Sequence, residues 1–118
     1  MEKNTGKYGE KLAREYLEKK GYELVIGNFR YERAEIDLIF KDEKNKVLIF
    51  TEVKTRKTKA FGEPEESVVF KKQEQIIKSA QGFLMEHPEF DEYEKRFDIV
   101  SVYIEGNKEF INHIQDAF

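Results

Sequence analysis

Two short stretches, "EIDLIF" at 35–40 and "VLIFTEV" at 47–53, are apolar at consecutive positions. Successive strand residues point to opposite faces. Ile36 and Leu38 should therefore alternate with Ile39, and Leu48 and Phe50 with Val47, Ile49 and Val53. A strand that is apolar on both faces must be covered on both. This demand restricts the chain to a mixed, three-layered α/β architecture, with helices or a second subunit flanking a sheet. The same stretches carry an oddity: Asp37 and Glu52 lie within them and Lys54 follows directly, although charged side chains are rarely buried unless paired.

Around these strands the pattern predicts the order α-β-β-β-α-β-β. Residues 5–20 form a helix, with Tyr8, Leu12 and Tyr16 at i+4 spacing, Ala13 and Leu17 beside them, and Gly21 at the closing position. "YELVIGNF" is the first strand, "AEIDLIFK" the second, "KDEKNK" a polar turn and "VLIFTEVK" the third. Residues 57–66, with Gly62 and Pro64, read as a loop. A second helix from Ser67 to Glu86 presents Phe70, Ile76, Ile77, Ala80 and Leu84 on one face, and Pro88 stops it. "RFDIVSVYI" and "EFINHI", joined by the turn "EGNK", are the last strands. No repeat, low-complexity segment or linker interrupts the pattern, so residues 1–118 read as a single domain.

Composition narrows the function. Hydrophobic residues are 39% and aromatics 14% of the chain, too many for a disordered polyampholyte. Zero cysteines exclude disulfides, thiolate zinc sites and thiol nucleophiles. His87 and His113, the only histidines, lie in unrelated segments and read as surface or helix-end residues, which argues against a zinc hydrolase. The first residues are polar and no apolar run approaches ~18 residues, so a cytoplasmic protein without a membrane span is expected. The net charge of −3 weighs against coating nucleic acid by bulk charge. Distribution matters more. Glu86, Glu89, Asp91, Glu92 and Glu94 read as solvated surface, whereas Lys54, Arg56, Lys57 and Lys59 follow the third strand directly.

Glu52 and Lys54 share a face of the third strand, and Arg56 joins them if the strand continues. On the second strand Asp37 should share a face with Glu35 and Ile39. If Asp42 pairs with Val47 across a four-residue turn, Asp37 comes opposite Glu52, with Cβ atoms about 5 Å apart. Carboxylates that close repel, and one stays protonated at neutral pH unless a cation intervenes. A hard divalent ion such as Mg²⁺, held by one or two carboxylates, water and substrate phosphate, satisfies the arrangement, with Lys54 reaching the same point. A one-residue slip would send Asp37 to the other face and dissolve the site.

Asp37 followed on the neighbouring strand by Glu52-Val53-Lys54 resembles the PD-(D/E)xK motif of restriction-endonuclease-like nucleases. The resemblance is closer to one branch, the small YraN-like family of endonucleases, and spans nearly the whole chain. It is carried by "GKYGEKLAREYLEKKGYELVIGNFR", "AEIDLIF", "FTEVKTR" and "RFDIVSV". Ala34 stands where the family usually has Gly, and Ile36 where the broader motif names Pro. The resemblance implies a restriction-endonuclease-like α/β/α fold with a mixed central sheet. It also implies Mg²⁺- or Mn²⁺-dependent hydrolysis of nucleic acid, DNA before RNA. Asp37 and Glu52 would be metal ligands, and Lys54 would position the attacking water and neutralise developing charge. Glu10 matches the helical glutamate that completes or orients the metal site. Glu35 and Asp98 match family positions too, and read as structural partners of Arg30 or Arg96.

Arg56, Lys57, Lys59, Lys71 and Lys72 are the candidate phosphate-tracking cations, and Gln75 a candidate for the site edge. Two other readings stay open: a nucleic-acid-binding module with little turnover, and a dimeric interaction subunit using "EFINHIQDAF" as its interface.

Overall fold

The computed structural model describes residues 5–56 and 70–118. Its elements follow the expected order: α1 (Thr5–Lys19), β1 (Glu23–Tyr31), β2 (Ala34–Asp42), β3 (Val47–Arg56), α2 (Phe70–Glu86), a short 3₁₀ turn at Pro88–Phe90, β4 (Glu94–Glu105) and β5 (Lys108–Ile114). The loop expected at 57–66, and the expected start of the second helix at Ser67, lie outside the described residues. The five strands stand in chain order in one sheet. Neighbours are antiparallel except β3 and β4, which run parallel, because α2 carries the chain back between them.

Both faces of the sheet are covered. Leu48 and Phe50 of β3 join Ile36, Ile39 and Ile99 against Ile76, Ala80 and Phe83 of α2. Ile49, between them, joins Leu38, Phe40, Val100 and Val102 against Ala13 and Leu17 of α1. Helix α1 ends as its sequence requires. Gly21 takes φ +95, its N–H donates to Glu18 and that of Tyr22 to Leu17, so a left-handed glycine closes the last carbonyls.

The structure corrects three expectations. Helix α2 buries Ile76 and Ala80 and packs Leu84 on the core as expected, but Phe70 is 72% and Ile77 37% exposed, and Ser79, Gly82 and Phe83 are buried in addition. Phe83 instead fills the interior, edge-on to both Phe29 and Phe50. In β2 the alternation slips: Ile36 and Ile39 lie on the α2 side while Leu38 and Phe40 face α1. The slip falls at Asp37, opposite Asn28 of β1, where a left-handed φ of +54 kinks the strand. Thirdly, His113 is no surface residue, as its side chain is 2% exposed. His87 does lie at a helix end, its Nδ1 2.9 Å from the carbonyl of Phe83.

The C-terminal stretch is largely used within the chain. Ile111 packs toward α1, the N–H of Ala117 reaches the carbonyl of Phe97, and Phe118 stacks on the Phe97 ring. Among the described residues no helix is long and apolar enough to cross a membrane.

Candidate functional site

Asp42 pairs with Val47 as the hairpin reading requires, and the ladder continues as far as Leu38 opposite Thr51. There backbone pairing stops, one residue short of Asp37 and Glu52. Asp37 Oδ2 replaces it by accepting the N–H of Val53 at 2.7 Å. That bond draws the Asp37 carboxyl to the β3 segment carrying Glu52, close enough for the charge on Glu52 to act on Asp37. The β2 slip therefore leaves the site assembled.

Burial pushes Asp37 up to about 7, the charge on Glu52 adds to this, and the Val53 N–H opposes it. Glu10 and Glu35 act in the same direction as Glu52. Burial also raises Glu52, while the charges of Lys72 and Lys54 pull it down. Glu52 is only 8% exposed. Burial thus holds both acids above the ordinary carboxylate range, a situation typical of functional carboxylate pairs.

The site draws groups from five elements, α1, β1, β2, β3 and α2. Glu52 and Lys54 alternate with Val53 and Thr55, which face α1, so both point to the α2 side. Lys72 Nζ, on the first turn of α2, lies 3.5 Å from Glu52 Oε2. Asp37, Lys72 and Gln75 line a cleft of about 210 Å³ together with Arg30, Arg33 and Glu35. From α1, Glu10 Oε1 accepts a hydrogen bond from Asn28 at 3.4 Å, close enough to act on Asp37 through its charge. A close helix approach brings it there: a Cβ on Gly9 would lie 1.9 Å from Thr55 Oγ1. Among the described residues no three acidic or imidazole side chains form a metal cage. The ligating capacity is that of the Asp37–Glu52 pair, with Glu10 nearby.

The profile of the uncharacterised protein family UPF0102 matches residues 9–102. The chain belongs to UPF0102. A UPF0102 protein of Caldicellulosiruptor bescii is 48% identical over 118 residues, covering 98% of each chain. Another, from Caldanaerobacter subterraneus subsp. tengcongensis, is 45% identical over 121 residues, covering 98% of this chain and 95% of its own. A third, from Natranaerobius thermophilus, is 44% identical over 119 residues with 98% of each chain covered. The YraN-like resemblance read from the motifs is this family.

The UPF0102 match takes in Gly9, Glu10, Asp37, Glu52, Lys54 and Lys72. Arg56 closes β3, half-buried, and Lys71 is exposed on α2. Lys57 and Lys59 lie outside the described residues. Asp98 is structural, as its pattern suggested: both its oxygens accept from Arg96 at 2.9 Å. Glu35 lines the cleft and has no ion pair with Arg30 among the described residues, although the two are cross-strand partners. Sequence reasoning missed Arg30 and Arg33 as cleft residues and Gly9 as the contact that positions Glu10. A glycine inside a helical pattern signals close approach, so Gly9 was findable. No local pattern marks the arginines.

Proposed function

We propose that this UPF0102 protein hydrolyses phosphodiester bonds of nucleic acid, DNA before RNA, with Mg²⁺ or Mn²⁺ as cofactor. The observation that carries the reading is the buried Asp37–Glu52 pair at the point where β2 and β3 part. The pair bears cations on one flank and opens on a polar cleft. The donor set suits a hard divalent ion. It offers adjacent carboxylate oxygens, and burial without full charge compensation makes an added positive charge favourable there. Asp37 and Glu52 would hold the ion, with Glu10 orienting or completing the set. When bound, the ion polarises the phosphate and lowers the pKa of its water.

The chain's own residues do the rest. Lys54 positions the attacking water and stabilises negative charge growing on the phosphate oxygens as the P–O bond to the leaving group breaks. Such charge stabilisation is strong in a site that excludes water. Lys72 bridges the carboxylates and the cleft, and Lys71 and Arg56 extend the positive surface. Purified protein with Mg²⁺ or Mn²⁺ should nick plasmid or trim linear DNA. Asp37→Asn and Lys54→Ala should abolish this while circular dichroism and thermal midpoint show a folded protein. Equal cleavage by wild type and variants would mark a contaminating nuclease and end the proposal.

A second reading, binding with little turnover, draws on the Lys72–Glu52 contact, in which an ammonium already takes part of the place of a metal cation. Mobility shift without cleavage under Mg²⁺, Mn²⁺ and Co²⁺ would select it.

A further inference from the structure

We infer that Arg30 and Arg33, presented by the β1–β2 turn, form a phosphate-binding site beside the carboxylate pair, where they hold a backbone phosphate next to the one cut. This rests on the proposed reading of the site and adds to it. The basic groups singled out from the sequence follow β3 or lie on α2, whereas these two come from the opposite wall.

Charge pairing is the first support. Of the arginines with described surroundings, Arg14 pairs with Glu18 and Arg96 with Asp98. Arg30 and Arg33 have no carboxylate partner among the described residues, even though both line the cleft that contains Asp37 and Glu35. Two uncommitted guanidinium groups, each a planar fork of donors, suit the oxygens of a phosphodiester.

Continuity is the second. A larger groove of about 610 Å³ runs between the β1–β2 turn and the middle of α2, and it shares Arg33, Ala34 and Gln75 with the smaller cleft. The shared lining sets the groove directly beside the cleft that holds Asp37. A polyanion following it would meet Arg33 on leaving the site, as strands do in grooves that follow the sugar–phosphate backbone.

Mounting is the third. The Tyr31 ring lies on Gly82 of α2, where a Cβ would come within 2.4 Å of it. Lys78, one turn earlier on α2, pairs with Glu32 at 3.2 Å. Glu32 itself is held at φ +55, a conformation unfavourable for a residue other than glycine, which persists only where its surroundings impose it. The turn is therefore docked on α2, and Arg33 within it and Arg30 just before it have fixed backbone positions over the cleft.

The test is fluorescence anisotropy of the full chain with a labelled DNA duplex and a labelled single strand in EDTA, titrated at several salt concentrations between about 50 and 200 mM. Arg30→Gln and Arg33→Gln should each weaken binding about tenfold at the lowest salt and reduce the magnitude of the log–log salt slope by about 1. Lys44→Gln, on the far turn between β2 and β3, controls for the loss of one charge and should bind as wild type. With Mn²⁺ the two arginine variants should raise KM while kcat stays within about twofold, which separates phosphate holding from chemistry. Gly82→Ala, which displaces Tyr31 but keeps both arginines, should reproduce part of the loss. Unchanged affinity and slope in Arg30→Gln and Arg33→Gln, with wild type binding DNA, would overturn this inference and leave the nuclease proposal standing. Failure of wild type to bind any DNA or RNA would remove both.

Discussion

Asp37 and Asp98 are aspartates in the apolar strands of one sheet, separated by β3, and their surroundings are opposite. The Asp98 side chain is fully buried. Its oxygens accept both Arg96 bonds, a contact from His113 Nε2 at 2.7 Å and the Asp116 N–H at 3.0 Å. Burial alone would raise its pKa, but the His113, Arg96 and Asp116 bonds together outweigh burial and hold it below the ordinary range. Asp37 has one N–H and another carboxyl group, and burial pushes it up to about 7. A buried charge that the fold itself satisfies belongs to the architecture. One that the fold leaves unmatched is available for a ligand from outside.

The sharpest break in this contrast would come from exchanging the consequences of losing each acid. Asp37→Asn is expected to lower Mn²⁺-dependent cleavage at least about 10³-fold, measured by initial rates on plasmid. Asp98→Asn should keep the folded fraction active. Asp98→Ala should cost about 3–5 kcal/mol in urea unfolding, because it strands Arg96 without a counter-charge and His113 without its hydrogen-bond partner. Loss of cleavage in stable Asp98 variants would erase the distinction.

A pH scan in EDTA sharpens it further. Asp37 has a folded pKa of about 7 against an ordinary 3.8, so the native state binds the extra proton between those values. This group's contribution is greatest below pH ~4 and is lost as pH rises through about 7. Asp98 acts the other way. Its contribution is present above the ordinary carboxylate value and is lost as pH falls through its lowered folded value. Unfolding midpoints should therefore decline from weakly acid to neutral pH. Asp37→Asn should remove that decline, on the order of 2 kcal/mol. A wild-type profile already level from pH 5 to 8 would contradict the unmatched state of Asp37. The smallest effect concerns Lys72, whose side chain is 46% exposed. Lys72→Gln should leave stability within about 0.5 kcal/mol. It should also tighten Mn²⁺ binding by about threefold in calorimetry, since an internal competitor for Glu52 is gone.

The local parts of this structure are legible in the sequence. Gly21 marks the end of α1, and the polar turn before Val47 fixes a register that runs to Leu38 opposite Thr51, the step before Asp37 and Glu52. What escapes is tertiary. Periodicity places an apolar arc on α2 but does not say whether Phe70 or Phe83 lies at its centre, and packing against Phe29 and Phe50 decides that. The slip at Asp37 depends on a left-handed Asn28 in another strand, for which no alternating pattern exists. Lys72 reads as a phosphate-tracking cation because its partner Glu52 belongs to a distant segment. Asp98 is legible as an ion-pair partner of Arg96, whereas the contribution of His113 depends on β5 folding beside β4.

The antiparallel joining of β2 to β3 also bears on synthesis. A ribosome that has released the chain through Arg56 has already delivered both acids of the pair, on strands that can meet without waiting for later residues. Helix α2, with its Lys72 and its share of the apolar cover, has not yet been made. During that interval the hairpin's two like charges lack the Lys72 contact, so the nascent chain should close this hairpin more readily when mildly acid conditions supply a proton.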